Sequence, residues 1–189
     1  MNKTNFSSIY GHPLIKPAEY EKIAAAHDQL VFKKGDTFLL NGETAREYYL
    51  ITTGLVRSFV YDYTGNEITT DFFSDNDFAI EVSSFFQQVP TRENIVAVTD
   101  GTAWKMSLEK FQELFITLEG IREWGRQWMS LQLFLAKQRS VDIVTKSAKD
   151  RYLELLNTKP EIIQNAPLKQ IASYLGVTDT SLSRIRRGI

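Results

Sequence analysis

Cysteine is absent from the 189 residues, which excludes disulfides, cysteine-ligated zinc and iron–sulfur clusters and fits a reducing compartment. Histidine is nearly absent. Its two copies, His12 and His27, both precede the β-rich region described below, so a histidine-rich metal site on strands lacks its ligands and a haem has few axial partners. The same placement leaves no Ser/His/Asp or Cys/His arrangement for nucleophilic catalysis. A glycine-rich phosphate loop is missing too. No apolar run approaches the roughly 18 residues needed to span a bilayer, and the polar start MNKTNFSSIYGHPLIKP has no apolar core for a signal peptide. These absences lead us to expect a cytoplasmic protein with no metal, no cofactor, no membrane association and no catalytic role.

What is present is unevenly distributed charge. The net charge is −1, yet from Lys137 onward ten lysines and arginines face five carboxylates, so a +5 tail follows a −6 body. A basic module on an acidic body suits a nucleic-acid reader whose other domain has a different task, although a merely solvated basic surface would look the same on charge alone. At 43% hydrophobic residues, the chain can bury one sizeable core and a small second module.

Residues 17–28 have a proline start and helical spacing of Tyr20, Ile23 and Ala24, which predicts a short helix. From Leu30 to about Ser107, the runs LVF, TFLL, EYYLIT, LVRSFVYDY, EITTDFF, ENIVAVT and TAWKMS alternate with the turn signals KKGD, NGE, TG, TGN, SDND and DG. Closely spaced strands of this kind predict an all-β roll, with Tyr63–Asn66 at a hairpin tip. A short helix N-capped by Ser107 follows, with Lys110 where a capping-box glutamate would sit. A longer helix is expected from Leu118 to Arg139, with Ile121, Trp124, Trp128, Leu131 and Leu135 stepping by three and four in a heptad-like seam. Such a seam could pack on the roll. Because Met129, Leu133 and Phe134 lie off it and could face inward, we expect the seam to join two copies. Gly125 weakens this helix unless close packing requires it. Another helix is predicted over 147–157.

The tail, ASYLGVTDTSLSRIRRGI, is patterned as two helices and a turn. Asn165 is expected to cap the first, which starts near Pro167 and stops at Gly176, the residue able to supply positive φ. Thr178 is the expected N-cap of the second. Ile171, Ala172, Leu175, Val177, Leu182 and Ile185 fall inward, leaving Asp179, Thr180, Ser183, Arg184 and Arg187 outward. This is a helix-turn-helix pattern whose second helix offers the donors that contact guanine edges and phosphates.

With these features in place, a β-roll, a long dimer helix and a C-terminal helix-turn-helix together resemble the bacterial Crp/Fnr transcription regulators. The residues IASYLGVTDTSLSRIRR look like its short members, and the glycines of FKKGDTFLLNGE and YYLITTGLVR (Gly35, Gly42, Gly54) match its roll. The resemblance implies an α+β fold of three parts: a jelly-roll-type, cyclic-nucleotide-binding-like roll over 1–117, a dimerisation helix over 118–139 and the DNA-binding unit over 140–189. It implies double-stranded DNA, a second copy, RNA polymerase and an unidentified small-molecule effector as partners. Base contacts fall on Asp179, Thr180 and Arg184. The chain stops about five residues after Arg184, where longer members continue into a wing, so Arg186 and Arg187 are expected to grip phosphate in its place.

In members that bind cyclic nucleotides, a Gly-Glu-Leu stretch and a later Arg-Ser/Thr-Ala hold ribose and phosphate. Here the matching residues are Ile80-Glu81-Val82 and Arg92-Glu93. Ile80 obstructs close backbone approach, and Glu93 puts a carboxylate where a hydroxyl is needed, a cost of roughly 3 kcal/mol against a phosphate charge at an effective dielectric near 20. Glu81 and Arg92 are then expected to pair with each other, and cyclic AMP is not expected to bind. The competing reading from another class is a small-molecule-binding module whose basic tail makes protein contacts.

Overall fold

The computed structural model describes residues 6–188; residues 1–5 and 189, the outer ends of the expected first and last domains, lie outside the described residues. The chain is α+β. Two short helices, α1 (Phe6–Ile9) and α2 (Pro17–Ala25), lead into strands β1 (Asp28–Phe32), β2 (Thr37–Leu39), β3 (Glu47–Thr53), β4 (Val56–Tyr61), β5 (Glu67–Phe73) and β6 (Phe78–Ala79). A helix α3 (Val82–Gln87) interrupts before β7 (Asn94–Ala97) and β8 (Gly101–Ser107). The strands form two antiparallel sheets in the orders β1-β8-β3-β6 and β2-β7-β4-β5, packed face to face as a jelly-roll-like sandwich. Each of the seven predicted runs supplies a strand. The hairpin tip is as expected: Asp62 accepts from the Thr64 and Asn66 amides, and Gly65 sits at φ +87°.

The roll's core is a continuous apolar cluster that includes Phe32, Leu50, Ile51, Val56, Phe85, Ile95 and Met106. At its edge lies a buried polar chain. His27 Nδ1 donates to the Ile23 carbonyl at 2.7 Å, and the Tyr10 hydroxyl bridges His27 Nε2 (2.9 Å) to the Tyr48 hydroxyl (2.7 Å). Burial pushes His27 down to about 4, against the pull of the Ile23 carbonyl.

Helix α4 (Leu108–Thr117) begins at Ser107, whose hydroxyl accepts from the Lys110 amide. Helix α5 (Glu119–Thr145) runs 27 residues, past the expected end at Arg139. No glycine or proline interrupts Ser140–Thr145, and Asp142 is bracketed by Gln138 and Lys146 in i,i+4 pairs that hold the last turns. Its start is clamped by the N-terminal arm: Trp124 Nε1 donates to the Ile9 carbonyl at 3.1 Å, and Gly120 lies so close to Ile15 that a Cβ would sit 2.5 Å from its side chain. Only glycine fits there.

Four helices complete the described residues: α6 (Ala148–Thr158), capped by Ser147, α7 (Pro160–Asn165), α8 (Leu168–Tyr174) and α9 (Asp179–Arg187). Asn165 does not cap α8 as expected. It ends α7, where its side chain donates to the Glu161 carbonyl, because Pro160 at that helix's first turn starts it just upstream. These helices dock on the roll rather than hang free. Leu55, Phe72 and Val98 of the roll join Tyr152, Leu155, Ile162, Ile171 and Leu182 in a second apolar cluster. Around it, Thr69 bonds Ser173 (2.9 Å between hydroxyls), Lys159 pairs with Asp77 at 2.8 Å, and the Arg139 guanidinium lies 4.0 Å over the Tyr174 ring.

Candidate functional site

Helices α8 and α9 are joined by a four-residue turn in which Gly176 takes φ +67°, the left-handed conformation expected of it. Thr178 caps α9, accepting from the Ser181 amide at 3.2 Å. Ile171, Ala172, Leu175 and Leu182 are buried, with Val177 and Ile185 packed against them. The opposite face carries the chemistry. Asp179, Thr180, Arg184, Arg186 and Arg187 are exposed and Ser183 is half-buried. Thr180, Arg184 and Arg187 recur at four and three residues, so they form one stripe along the helix. Among the described residues none of the three arginines of α9 makes an ion pair, and their guanidinium groups are free to meet phosphate oxygens or base edges.

The residues matched to a nucleotide pocket are divided between different surroundings. Ile80 and Glu81 line a cavity of about 210 Å³ with Glu43, Arg46, Glu47 and Tyr49, whereas Val82, Arg92 and Glu93 do not border it. Glu81 does not pair with Arg92. Its carboxylate instead N-caps α3, accepting from the Ser83 and Ser84 amides, while Arg92 is exposed and in no ion pair among the described residues. The helix supplies what the ion pair would have: fixed donors for a half-buried carboxylate. Burial pushes the Glu93 carboxyl up, with the neighbouring Glu81 and Asp71 adding to the rise and Thr70 and Arg139 opposing it. The cavity is bordered by the carboxylates of Glu43, Glu47 and Glu81, with Arg46 as the cation among its lining residues.

The roll's place among known proteins follows. Residues 29–117 match the cyclic nucleotide-binding domain. That domain ends at the last residue of α4, and α5 to α9 lie beyond it. No curated protein matches the sequence. Solved structures share the fold of nearly the whole chain. A putative Crp/Fnr-family transcriptional regulator from Eubacterium rectale superposes with a TM-score of 0.71 at 19% identity, covering 93% of this chain and 85% of its own. FixK2 from Bradyrhizobium japonicum gives 0.71 at 18% identity over 86% and 83% of the two chains. The catabolite activator protein of Thermus thermophilus gives 0.61 at 17% over 95% and 85%.

The seam predicted along α5 divides. Ile121 is only 2% exposed and belongs to the roll's core, so it is not available to a partner. Trp124 packs on Tyr10 and Phe78 (4.4 and 5.5 Å between centroids), and Trp128 on Phe78 (5.6 Å). Leu131 and Leu135 are exposed, but so are Met129, Leu133 and Phe134, which were expected to face inward. The reason is reach. The roll's apolar packing on the helix extends to about Trp128; farther on Arg139 still donates to the Thr70 carbonyl and lies over Tyr174, but Leu131, Leu133, Phe134 and Leu135 remain exposed. Arg139, Lys159, Ser173 and Tyr174, which fasten the tail, carry no motif that would single them out.

Proposed function

We propose that the chain is a sequence-specific, DNA-binding transcription regulator of the Crp/Fnr type, acting in the cytoplasm as a homodimer and not as an enzyme. The observation that carries this reading is the α8–turn–α9 unit: its apolar residues pack into one cluster, while Asp179, Thr180, Arg184, Arg186 and Arg187 of α9 are exposed. A second helix of this kind enters the major groove by its N-terminal end, which places Asp179, Thr180 and Ser183 at base level and Arg184 as the long cation that reaches guanine. Arg186 and Arg187 follow where the helix leaves the groove and meets backbone. The exposed Leu131, Leu133, Phe134 and Leu135 support a partner helix from a second copy. The roll is a sensor-like domain whose polar cavity disfavours a nucleotide phosphate.

Fluorescence anisotropy on a selected operator and a scrambled control, at several salt concentrations, tests the reading. Arg184→Ala should lose roughly 1–3 kcal/mol of discrimination between the two DNAs, whereas Arg187→Ala should weaken both alike and lower the salt slope by about one. Equal behaviour with specificity intact would remove Arg184 from base reading. Absence of any salt-dependent DNA binding would favour a tail that contacts protein. Calorimetry with cyclic AMP or cyclic GMP should show no heat of binding at tens of micromolar; micromolar affinity would overturn our account of Ile80 and Glu93.

A further inference from the structure

Beside the small polar cavity lies a larger apolar one. The groove between α3, α4 and α5 encloses about 720 Å³, and its walls include the rings of Phe78, Phe85, Phe111, Trp124 and Trp128. We propose that it binds an uncharged, largely apolar small molecule carrying a hydrogen-bonding group, at a site separate from the polar cavity.

Four observations converge on this ligand. The volume falls in the range of roughly 300–1,000 Å³ typical of small-molecule pockets, and aromatic walls with few polar groups are their usual lining. No carboxylate and no histidine borders the groove, and its one cation, Arg126, is already neutralised by Glu123 at 2.8 Å, so an ionic ligand finds no counter-charge. At the rim the Gln112 amide makes no hydrogen bond among the described residues and can meet one polar group.

Gly125 is the fourth. It sits in the interior of α5, on the groove wall facing Phe115, where glycine is the weakest helix former after proline. A Cβ there would lie 3.4 Å from the Phe115 ring, an ordinary contact, so packing does not demand glycine as it does at Gly120. The missing side chain keeps the groove open. Ile80 links the two cavities: the residue that obstructs nucleotide approach in the polar cavity also lines the apolar one.

The claim concerns binding alone and stands whether or not the tail reads DNA. N-Phenyl-1-naphthylamine, an uncharged aromatic fluorophore, is titrated into the full chain, with energy transfer from Trp124 and Trp128 as readout. Saturable binding of one probe per chain is expected. Gly125→Leu should fill the groove and weaken the probe by about tenfold or more, with circular dichroism and mass by light scattering unchanged. Gly125→Ala should retain binding and raise the unfolding midpoint. If Gly125→Leu does not fold, Phe86→Asp at the exposed rim serves instead, with the same loss expected. No saturable binding by the wild type, or equal affinity in the filled variant, would overturn the proposal. So would loss of the dimer together with the probe, which would assign the groove to a second copy.

Discussion

The two halves of α5 are built from the same kinds of residue and meet opposite fates. Through Trp128 its apolar side chains are fixed by the N-terminal arm and the roll; beyond it, Leu131, Leu133, Phe134 and Leu135 stand in solvent within a single chain. The helical spacing is continuous across the boundary. What changes is whether an apolar surface lies alongside: the second half touches the roll through Arg139 and the Thr70 carbonyl, a polar contact. A heptad-like stripe therefore marks where apolar contact is wanted without saying which molecule supplies it.

The contrast can be broken most sharply at Trp124. Trp124→Ala removes a ring in contact with Tyr10 and Phe78 together with a hydrogen bond to Ile9, and should cost about 3 kcal/mol, read as a lowered urea midpoint. Leu135→Ala should leave the same midpoint in place. Equal effects would mean that both halves are equally supported.

A comparable loss should come from pH. Tyr10, which packs against Trp124, also holds His27, whose folded-state value near 4 lies below its ordinary 6.5. The neutral ring is favoured by folding, so this stability is full above pH 6.5 and is lost as pH falls towards 4, a total of about 3 kcal/mol. Urea unfolding at pH 7 and pH 4.5 should show His27→Gln with a flatter pH dependence than the wild type. Identical slopes would take His27 out of the acid response.

The smallest effect on folding is expected in the second half. Phe134→Glu should change the roll's own unfolding by no more than about 0.5 kcal/mol. Its effect is on assembly: light scattering should give dimers for the wild type and monomers for the variant. A dimeric variant would move the interface away from this stripe.

Strand runs and the α8–α9 turn were legible in the sequence because both rest on local rules, alternation with glycine turns in one case and a capped helix after a positive-φ glycine in the other. β6 was not, since two residues leave no alternation to see. Glu81 could be matched to a ribose ligand but not recognised as the cap of α3, because glutamate is an uncommon N-cap. Asn165 misled for the opposite reason: it is a favoured cap that lies at the end of a helix opened by Pro160. The docking of α8 on β5 depends on Thr69 meeting Ser173, 104 positions apart, and no window of sequence contains both. Nor could charge and spacing announce the apolar groove, which exists only once α3, α4 and α5 are placed around it.

The continuity of α5 has a mechanical consequence. From Trp124 to Thr145 the helix rises by 21 residue steps, a rod of about 32 Å. It is held twice, by the N-terminal arm at its start and farther on by Arg139, which donates to the Thr70 carbonyl and lies over Tyr174. A tilt of about 5° at the first hold would move Arg139 by about 2 Å, enough to break that hydrogen bond, so the helix acts as a strut that fixes the spacing between the aromatic groove and the tail.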